Sequence, residues 1–262
     1  MKRKVTLEEM RDLQLAMMDK IHEFCVERGI RYSLGGGTLL GAVRHKGYIP
    51  WDDDIDIMLP RPDYERFLKE FDGVYPNYTV QSCEKDADYC KMFAKVYDNR
   101  TILDEKIIRT GVYIDVFPID GLPVKKDLSL YMSRLQCLTH LLYRSTKMPL
   151  NHKTWKNRLK HYLFELCDVR RDMVLGLIES FYSSIPFETS VFAGSIVGLY
   201  YEKEYYESNV FKSYMDMEFE GHVYKAISAY DIYLSQHYGD YMKLPPKEQQ
   251  VSLHEYKVWW KE

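Results

Sequence analysis

The sequence predicts an α+β fold, a β-sheet core flanked by helices with a helical insertion in the second half. Three observations lead there. An amphipathic helical pattern opens the chain, short alternating apolar segments follow up to residue 117, and from Lys125 to about Ser184 the pattern turns helical. A chain of 262 residues suits one unit rather than two large domains. We divide it into a core over residues 1–124, a helical elaboration over 125–200, and a segment over 201–262 that packs back on the core.

The elements follow in order. Thr6 and Glu9 form a capping-box pattern, and Leu7, Met10, Leu13, Met17, Ile21 and Phe24 then recur on one helical face until Gly29 stops the helix. Ile30 to Leu34 reads as a strand running into the turn Gly35-Gly36-Gly37-Thr38, with a short helix over Leu39 to Arg44 and a loop to Trp51. In WDDDIDIMLP the alternation places Asp54, Asp56 and Met58 on one strand face and Ile55, Ile57 and Leu59 on the other. Asp63 to Phe71 suits a helix with Tyr64, Phe67, Leu68 and Phe71 inward. Tyr78 to Cys83, Met92 to Tyr97 and Val112 to Phe117 read as strands, the last followed by a loop marked by Pro118, Gly121 and Pro123. Residues 201–225 look β-rich, Ala226 to Tyr238 helical, and Gly239 to Pro246 a turn.

Composition bounds the function. A net charge of −3 gives no case for nucleic acid as a partner. The N-terminus lacks the apolar run of a signal peptide, and the longest weakly polar stretch, Val191 to Tyr201, falls far short of the ~20 residues that span a bilayer. A cytoplasmic protein is expected, with peripheral contact at the inner membrane face as an option. The five cysteines, Cys25, Cys83, Cys90, Cys137 and Cys167, form no C-x-x-C pair, which points to reduced, mostly buried thiols. Arg144 to Arg171 is basic with aromatic residues interleaved; it reads either as a solvated helix face or as a surface for an anionic acceptor or lipid headgroups.

Three features carry chemistry together: the glycine turn, the Asp54-x-Asp56 pair on an apolar strand, and Asp115 between Ile114 and Val116 on another. Clustered carboxylates repel one another unless a cation offsets them. Mg²⁺ takes oxygen ligands and keeps phosphates in its shell, and glycines let backbone N–H groups approach a phosphate closely. The set therefore points to a nucleotide diphosphate held by Mg²⁺, or Mn²⁺ in its place, on Asp54, Asp56 and Asp115. Arg44, His45 and Lys46 stand between glycines and aspartates and suit either donor phosphates or a solvated loop; Lys91 and Lys95 flank Phe93, and either could reach a phosphate.

At these residues a resemblance becomes specific. GGTLLGAVRHKGYIPWDDDIDIMLPRPDYERF, Gly36 to Phe67, resembles the signature of the LicD family of phosphotransferases; GVYIDVFPIDGLP, Gly111 to Pro123, resembles its second block, and YGDYMKLPPKEQQVSLHE, Tyr238 to Glu255, its closing motif. Lys125 to Tyr200 carries no such motif. Gly35 stands where a serine is expected, and Leu253 where the closing motif often has a first histidine, leaving His254 alone.

The resemblance implies a single catalytic unit with a nucleotidyltransferase-type mixed sheet. It implies transfer of phosphocholine from CDP-choline to a sugar hydroxyl of a cell-surface glycan, of teichoic acid or lipopolysaccharide type and possible lipid linkage, with release of CMP. Carried over by position, Gly36, Gly37 and Thr38 cradle the donor phosphate, Asp54 and Asp56 bind metal, Asp115 completes the set, and Asp115 or His254 takes the hydroxyl proton. Arg44, Lys46, Trp51 and Lys95 are the further donor contacts expected. A choline cage would draw on Tyr48, Trp51, Tyr113 and Trp155. Three alternatives stay open: another CDP-alcohol as donor, transfer of a nucleoside monophosphate to a sugar or small molecule, and binding without turnover.

Overall fold

The computed structural model describes residues 3–104, 109–146, 170–197, 203–251 and 257–262. The fold is α+β, as expected. Helix α1 (Leu7–Arg28) begins at the Thr6–Glu9 capping box and ends at Gly29, which sits in the left-handed region at φ +60°. Its buried face runs through Met10, Leu13, Met17, Ile21 and Phe24, while Leu7 stays exposed. Next come β1 (Ser33–Leu34), α2 (Gly36–His45), β2 (Asp56–Pro60) and α3 (Arg61–Glu70). In α3, Pro62 lies in the first turn, where its missing N–H costs nothing, and Tyr64, Phe67 and Leu68 point inward.

The main sheet adds β3 (Tyr78–Gln81), β4 (Ala94–Asp98) and β7 (Tyr113–Leu122), in the order β1-β2-β7-β4-β3, with β8 (Phe192–Gly194) and β9 (Tyr206–Glu207) branching from β7. Pairing of β2 with β7 is parallel and that of β4 with β7 antiparallel, so the sheet is mixed. Strands β5 (Thr101–Asp104) and β6 (Arg109–Thr110) form a small sheet with β12 (Val258–Trp260), and β10 (Tyr214–Phe219) pairs with β11 (His222–Ile227) in a hairpin. Helices α4 (Lys125–Ser145), α5 (Arg171–Ser183) and α6 (Tyr230–Tyr238) complete the described elements.

Several boundaries differ from expectation: α2 begins at Gly36, within the expected glycine turn, and β2 begins only at Asp56, so Asp54 lies in the loop before the strand rather than on its face. The predicted loop at Pro118 and Gly121 lies inside β7. The Asp115 N–H donates to the Ile55 carbonyl across the β2 side, so by alternation the nitrogen of Pro118 faces the other side. There β4 ends opposite Val116 and β8 begins opposite Asp120, so proline removes no ladder bond. Gly121 is needed because a Cβ there would come within 2.3 Å of the Ile185 carbonyl oxygen. Ala226 and Ile227 belong to β11 rather than to the helix that follows.

The principal core lies between α1, α3, the hairpin and the main sheet, and includes Ile55, Ile57, Leu59, Ile114 and Val116. A second core joins Cys83, Tyr89 and Met92 to α4 and α5 through Leu135, Leu142, Ile178 and Tyr182. Among the described cysteines none is bonded; Cys25 and Cys83 are buried, Cys90 partly so, and Cys137 exposed. Cys167 lies outside the described residues, as does most of the basic stretch between Arg144 and Arg171.

Candidate functional site

The glycine turn sets one wall. Gly35 donates its N–H to the Asp56 carbonyl at 2.9 Å, which ties the start of α2 to β2. Gly36 adopts φ +46°, and a Cβ there would come within 3.0 Å of Asp56 Oδ2; a Cβ on Gly37 would come within 2.7 Å of Asp52 Oδ2. Carboxylates thus press on backbone that only glycine leaves open. The N-cap, Gly35, has no side chain with which to cap α2. Its first-turn N–H groups and dipole make this end of the helix a natural place for an anion. Thr38, expected in the phosphate cradle, is buried instead and accepts the Asp56 N–H at 2.8 Å, so its hydroxyl fixes the strand.

Strand register sets the second wall. Asp56 on β2 sits beside Asp115 on β7, which sits beside Lys95 on β4. The three therefore stand abreast on one face of the sheet. Lys95 Nζ contacts Asp115 Oδ1 at 2.6 Å and lies 3.1 Å from the centre of the Tyr113 ring. Its side chain is wholly buried. Lys95 therefore orients a carboxylate rather than reaching for a phosphate, and the lysines that line the cavity are Lys91 and Lys243.

The acidic loop forms the rim between these walls. One carboxylate oxygen from each of Asp52, Asp53 and Asp54 lies within 4.8 Å of the others, a grouping with metal-ligand spacing that excludes Asp56 and Asp115. Helix α1 holds the loop by its backbone. Arg11 donates to the Asp52 carbonyl at 2.8 Å and Gln14 to the Asp53 carbonyl at 3.0 Å. Asp56 keeps a partly exposed surface yet is crowded by protein. Burial, then the charges of Asp54, Asp115 and Asp52, push its carboxyl well above the usual carboxylate range, while Lys95 pulls the other way. A wall of hard oxygen donors that is electrostatically unfavourable by itself fits a divalent cation such as Mg²⁺ or Mn²⁺.

These walls enclose a cavity of about 1700 Å³. Of the residues expected at the site, Gly36, Gly37, Arg44, Trp51, Asp54, Asp56 and Asp115 line it; Thr38 and Lys95 stand behind the lining. Lys46 does not line it: it ends α2 with φ +60° and its side chain is exposed. Arg44 Nη1 donates to the Tyr241 carbonyl, which ties α2 to the segment after α6. Of the cage candidates, Trp51 and Tyr113 face the cavity, whereas Tyr48 is buried with its hydroxyl on Gln14. His254 and Trp155 lie outside the described residues.

Several lining residues escaped the sequence reading. Asp52 belongs to the acidic run and gave that signal, and Tyr238 to Tyr241 lie in the closing motif. His140 on α4 and Glu204, Tyr233 and His237 gave none, because only tertiary packing brings them to the cavity. Burial raises the Glu204 carboxyl to about 8 and, with Lys203 beside it, lowers the His237 imidazole to about 4. Their contact at 3.3 Å is therefore one between two neutral groups at pH 7, not an ion pair.

The family described as "LicD/FKTN/FKRP, nucleotidyltransferase domain" matches residues 29–172, more than half of the chain. Over 266 aligned positions the chain is 34% identical to the lipopolysaccharide cholinephosphotransferase LicD of Haemophilus influenzae, covering 96% of this chain and 97% of the relative. An uncharacterised protein of Rickettsia prowazekii is 41% identical over 78 residues, 29% of this chain and 28% of that protein. The human ribitol 5-phosphate transferase FKRP is 62% identical over 29 residues, 11% of this chain and 6% of that protein.

Proposed function

The chain belongs to the LicD family, and from that premise we propose that it transfers phosphocholine from CDP-choline to a sugar hydroxyl of a lipopolysaccharide-type glycan, releasing CMP. The observation that carries this reading is that the carboxylates Asp54, Asp56 and Asp115 line one cavity with the glycine-lined start of α2. The choice of choline is supported by the name and near full-length coverage of the Haemophilus relative.

In this mechanism Asp54 and Asp56, with Asp52 close to Asp54, would hold Mg²⁺ or Mn²⁺, and the ion would supply charge neutralisation for the diphosphate. The start of α2 receives the transferred phosphoryl oxygens, with Gly36 leaving room for them and Gly37 offering its N–H. The acceptor hydroxyl oxygen forms a bond to the phosphorus that bears choline, and the bond from that phosphorus to the CMP oxygen breaks. The hydroxyl proton passes to a carboxylate at the point of attack, and Asp115, oriented by Lys95, is the candidate. No described helix is long and apolar enough to cross a membrane. We propose separately that a lipid-linked acceptor would be met at the inner membrane face.

The test is Mg²⁺-dependent release of CMP from CDP-choline with lipopolysaccharide as acceptor, beside CDP-glycerol and CDP-ribitol. Release from CDP-choline, falling at least ~100-fold in Asp54→Asn with the fold intact by circular dichroism, is expected. Full activity in Asp54→Asn, or indifference to chelation, would remove the metal scheme. Pyrophosphate release from a nucleoside triphosphate in place of CMP release would reassign the chemistry.

A further inference from the structure

The cavity holds a second group of titratable side chains, which the transfer scheme leaves unused. Glu204 is buried at 6% exposure and still lines the cavity. Its Oε1 accepts the Tyr233 hydroxyl at 3.4 Å and stands 3.3 Å from His237 Nδ1. The Ser195 N–H also points at this carboxyl. Its Oε2 is buried and takes no hydrogen bond among the described residues. Two of the carboxyl's contacts are aromatic side chains, and a third ring stands next to them. Tyr233 and His237 have ring centres 5.5 Å apart, His237 and Tyr238 4.6 Å apart, and all three line the same cavity.

A buried carboxylate oxygen without a donor ordinarily costs stability. It suits one kind of ligand well. A quaternary ammonium group has no N–H to donate, so a site for it needs negative charge and ring faces rather than matched hydrogen bonds.

Placement agrees. The Gly36 N–H points at the Tyr233 hydroxyl, which in turn donates to Glu204. The Tyr233 hydroxyl thus links the start of α2, where the phosphate is expected, to the carboxyl, which lies two hydrogen bonds and at most about 6 Å from the Gly36 nitrogen. The linker between phosphorus and nitrogen in phosphocholine has four bonds and spans about 5 Å when extended.

Resting on the choline reading above, we propose that Glu204, walled by Tyr233, His237 and Tyr238, is the subsite for the donor's quaternary ammonium group and selects choline among CDP-linked alcohols. Gly194 supports the subsite, since a Cβ there would come within 1.6 Å of the Glu204 carbonyl oxygen.

The carboxyl is largely protonated at pH 7 without ligand, so a cation seated against it expels a proton. The other titratable groups around it are His237, neutral at that pH, Tyr233 and Tyr206, and Lys203, whose ammonium is held on the His237 carbonyl.

The experiment is calorimetric binding of CDP-choline and CDP-glycerol at pH 7 with Mg²⁺, in two buffers of different ionisation enthalpy, to wild type and Glu204→Gln. Wild type should release protons with CDP-choline beyond those released with CDP-glycerol. Glu204→Gln should lose that excess, and its preference for CDP-choline should fall about tenfold or more. Equal proton counts for the two donors in wild type overturn the subsite without any variant. So does a Glu204→Gln protein that keeps its preference, or one that loses kcat equally for every donor, which would make Glu204 a proton acceptor instead. If wild type binds CDP-glycerol and ignores CDP-choline, the donor reading itself fails and the subsite with it.

Discussion

At the scale of single residues, Glu204 makes a claim about stability as well as binding. Its folded carboxyl titrates at about 8, against 4.5 for the ordinary group. Between those values the folded state holds a proton that the unfolded state has lost, so ligand-free stability must fall as pH rises through the window. His237 acts in the opposite sense. Lowered to about 4 from 6.5, it makes the folded protein gain stability as pH rises across that lower range. The two offset each other up to about pH 6.5, and Glu204 acts alone from there to pH 8. Thermal melts should show Glu204→Gln gaining on wild type by about 1–2 kcal/mol over that interval. A constant gap from pH 6.5 to 8.5 would mean that the carboxyl is ionised throughout.

At the scale of elements, α1 is the support of the acidic loop. Gln14 is buried at 3% exposure. Its amide nitrogen donates to the carbonyls of Asp53 and, at 3.4 Å, Tyr113, while its oxygen accepts the Tyr48 hydroxyl. Gln14→Ala leaves those groups without their partner and should cost about 1–3 kcal/mol in denaturant unfolding. Because it frees the loop rather than removing a carboxylate, it should also weaken Mg²⁺ binding, raising the metal concentration needed for half-maximal CMP release. Unchanged metal demand would show that the loop is held from elsewhere.

Gln14 also marks where sequence reading ends. Apolar periodicity disclosed α1, and alternation disclosed the faces of β2 and β7, because burial imposes a period on a single chain segment. Tyr113, Asp115 and Phe117 do share the cavity face, and Ile114 and Val116 the principal core, as alternation predicts, while Val112, just before β7, packs with Tyr113 in a separate cluster. Nothing periodic announces a polar residue on an apolar helix stripe that reaches 39 positions along the chain. Lys95 was misjudged for the same reason. Its charge suggested a phosphate, yet the register that sets it beside Asp115 depends on a long-range strand pairing. Glu204 and His237 meet across two elements that local pattern cannot join.

At the scale of the whole molecule, the question is how the helical elaboration is fixed to the sheet so that α4 can wall the cavity. Arg61 at the start of α3 forms a bidentate pair with Asp120 near the end of β7, at 2.6 and 2.8 Å. Its guanidinium lies 3.9 Å from the centre of the Tyr182 ring on α5. One buried cation thus joins a core helix, the central strand and the elaboration. Asp120 is 1% exposed and Arg61 14%, so Asp120→Asn leaves a largely buried guanidinium with half its acceptors and without its paired carboxylate. Breaking a buried pair from one side costs about 3–5 kcal/mol. For a chain of this length that lowers the melting temperature by about 10 °C. Because α4 packs on α5, the loss should reach the cavity wall, and hydrogen exchange should rise in both helices while α1 and β2 stay protected. A melt within ~2 °C of wild type, with exchange unchanged in α4 and α5, would show that the second core alone docks the elaboration and that the Arg61–Asp120 pair is dispensable to it.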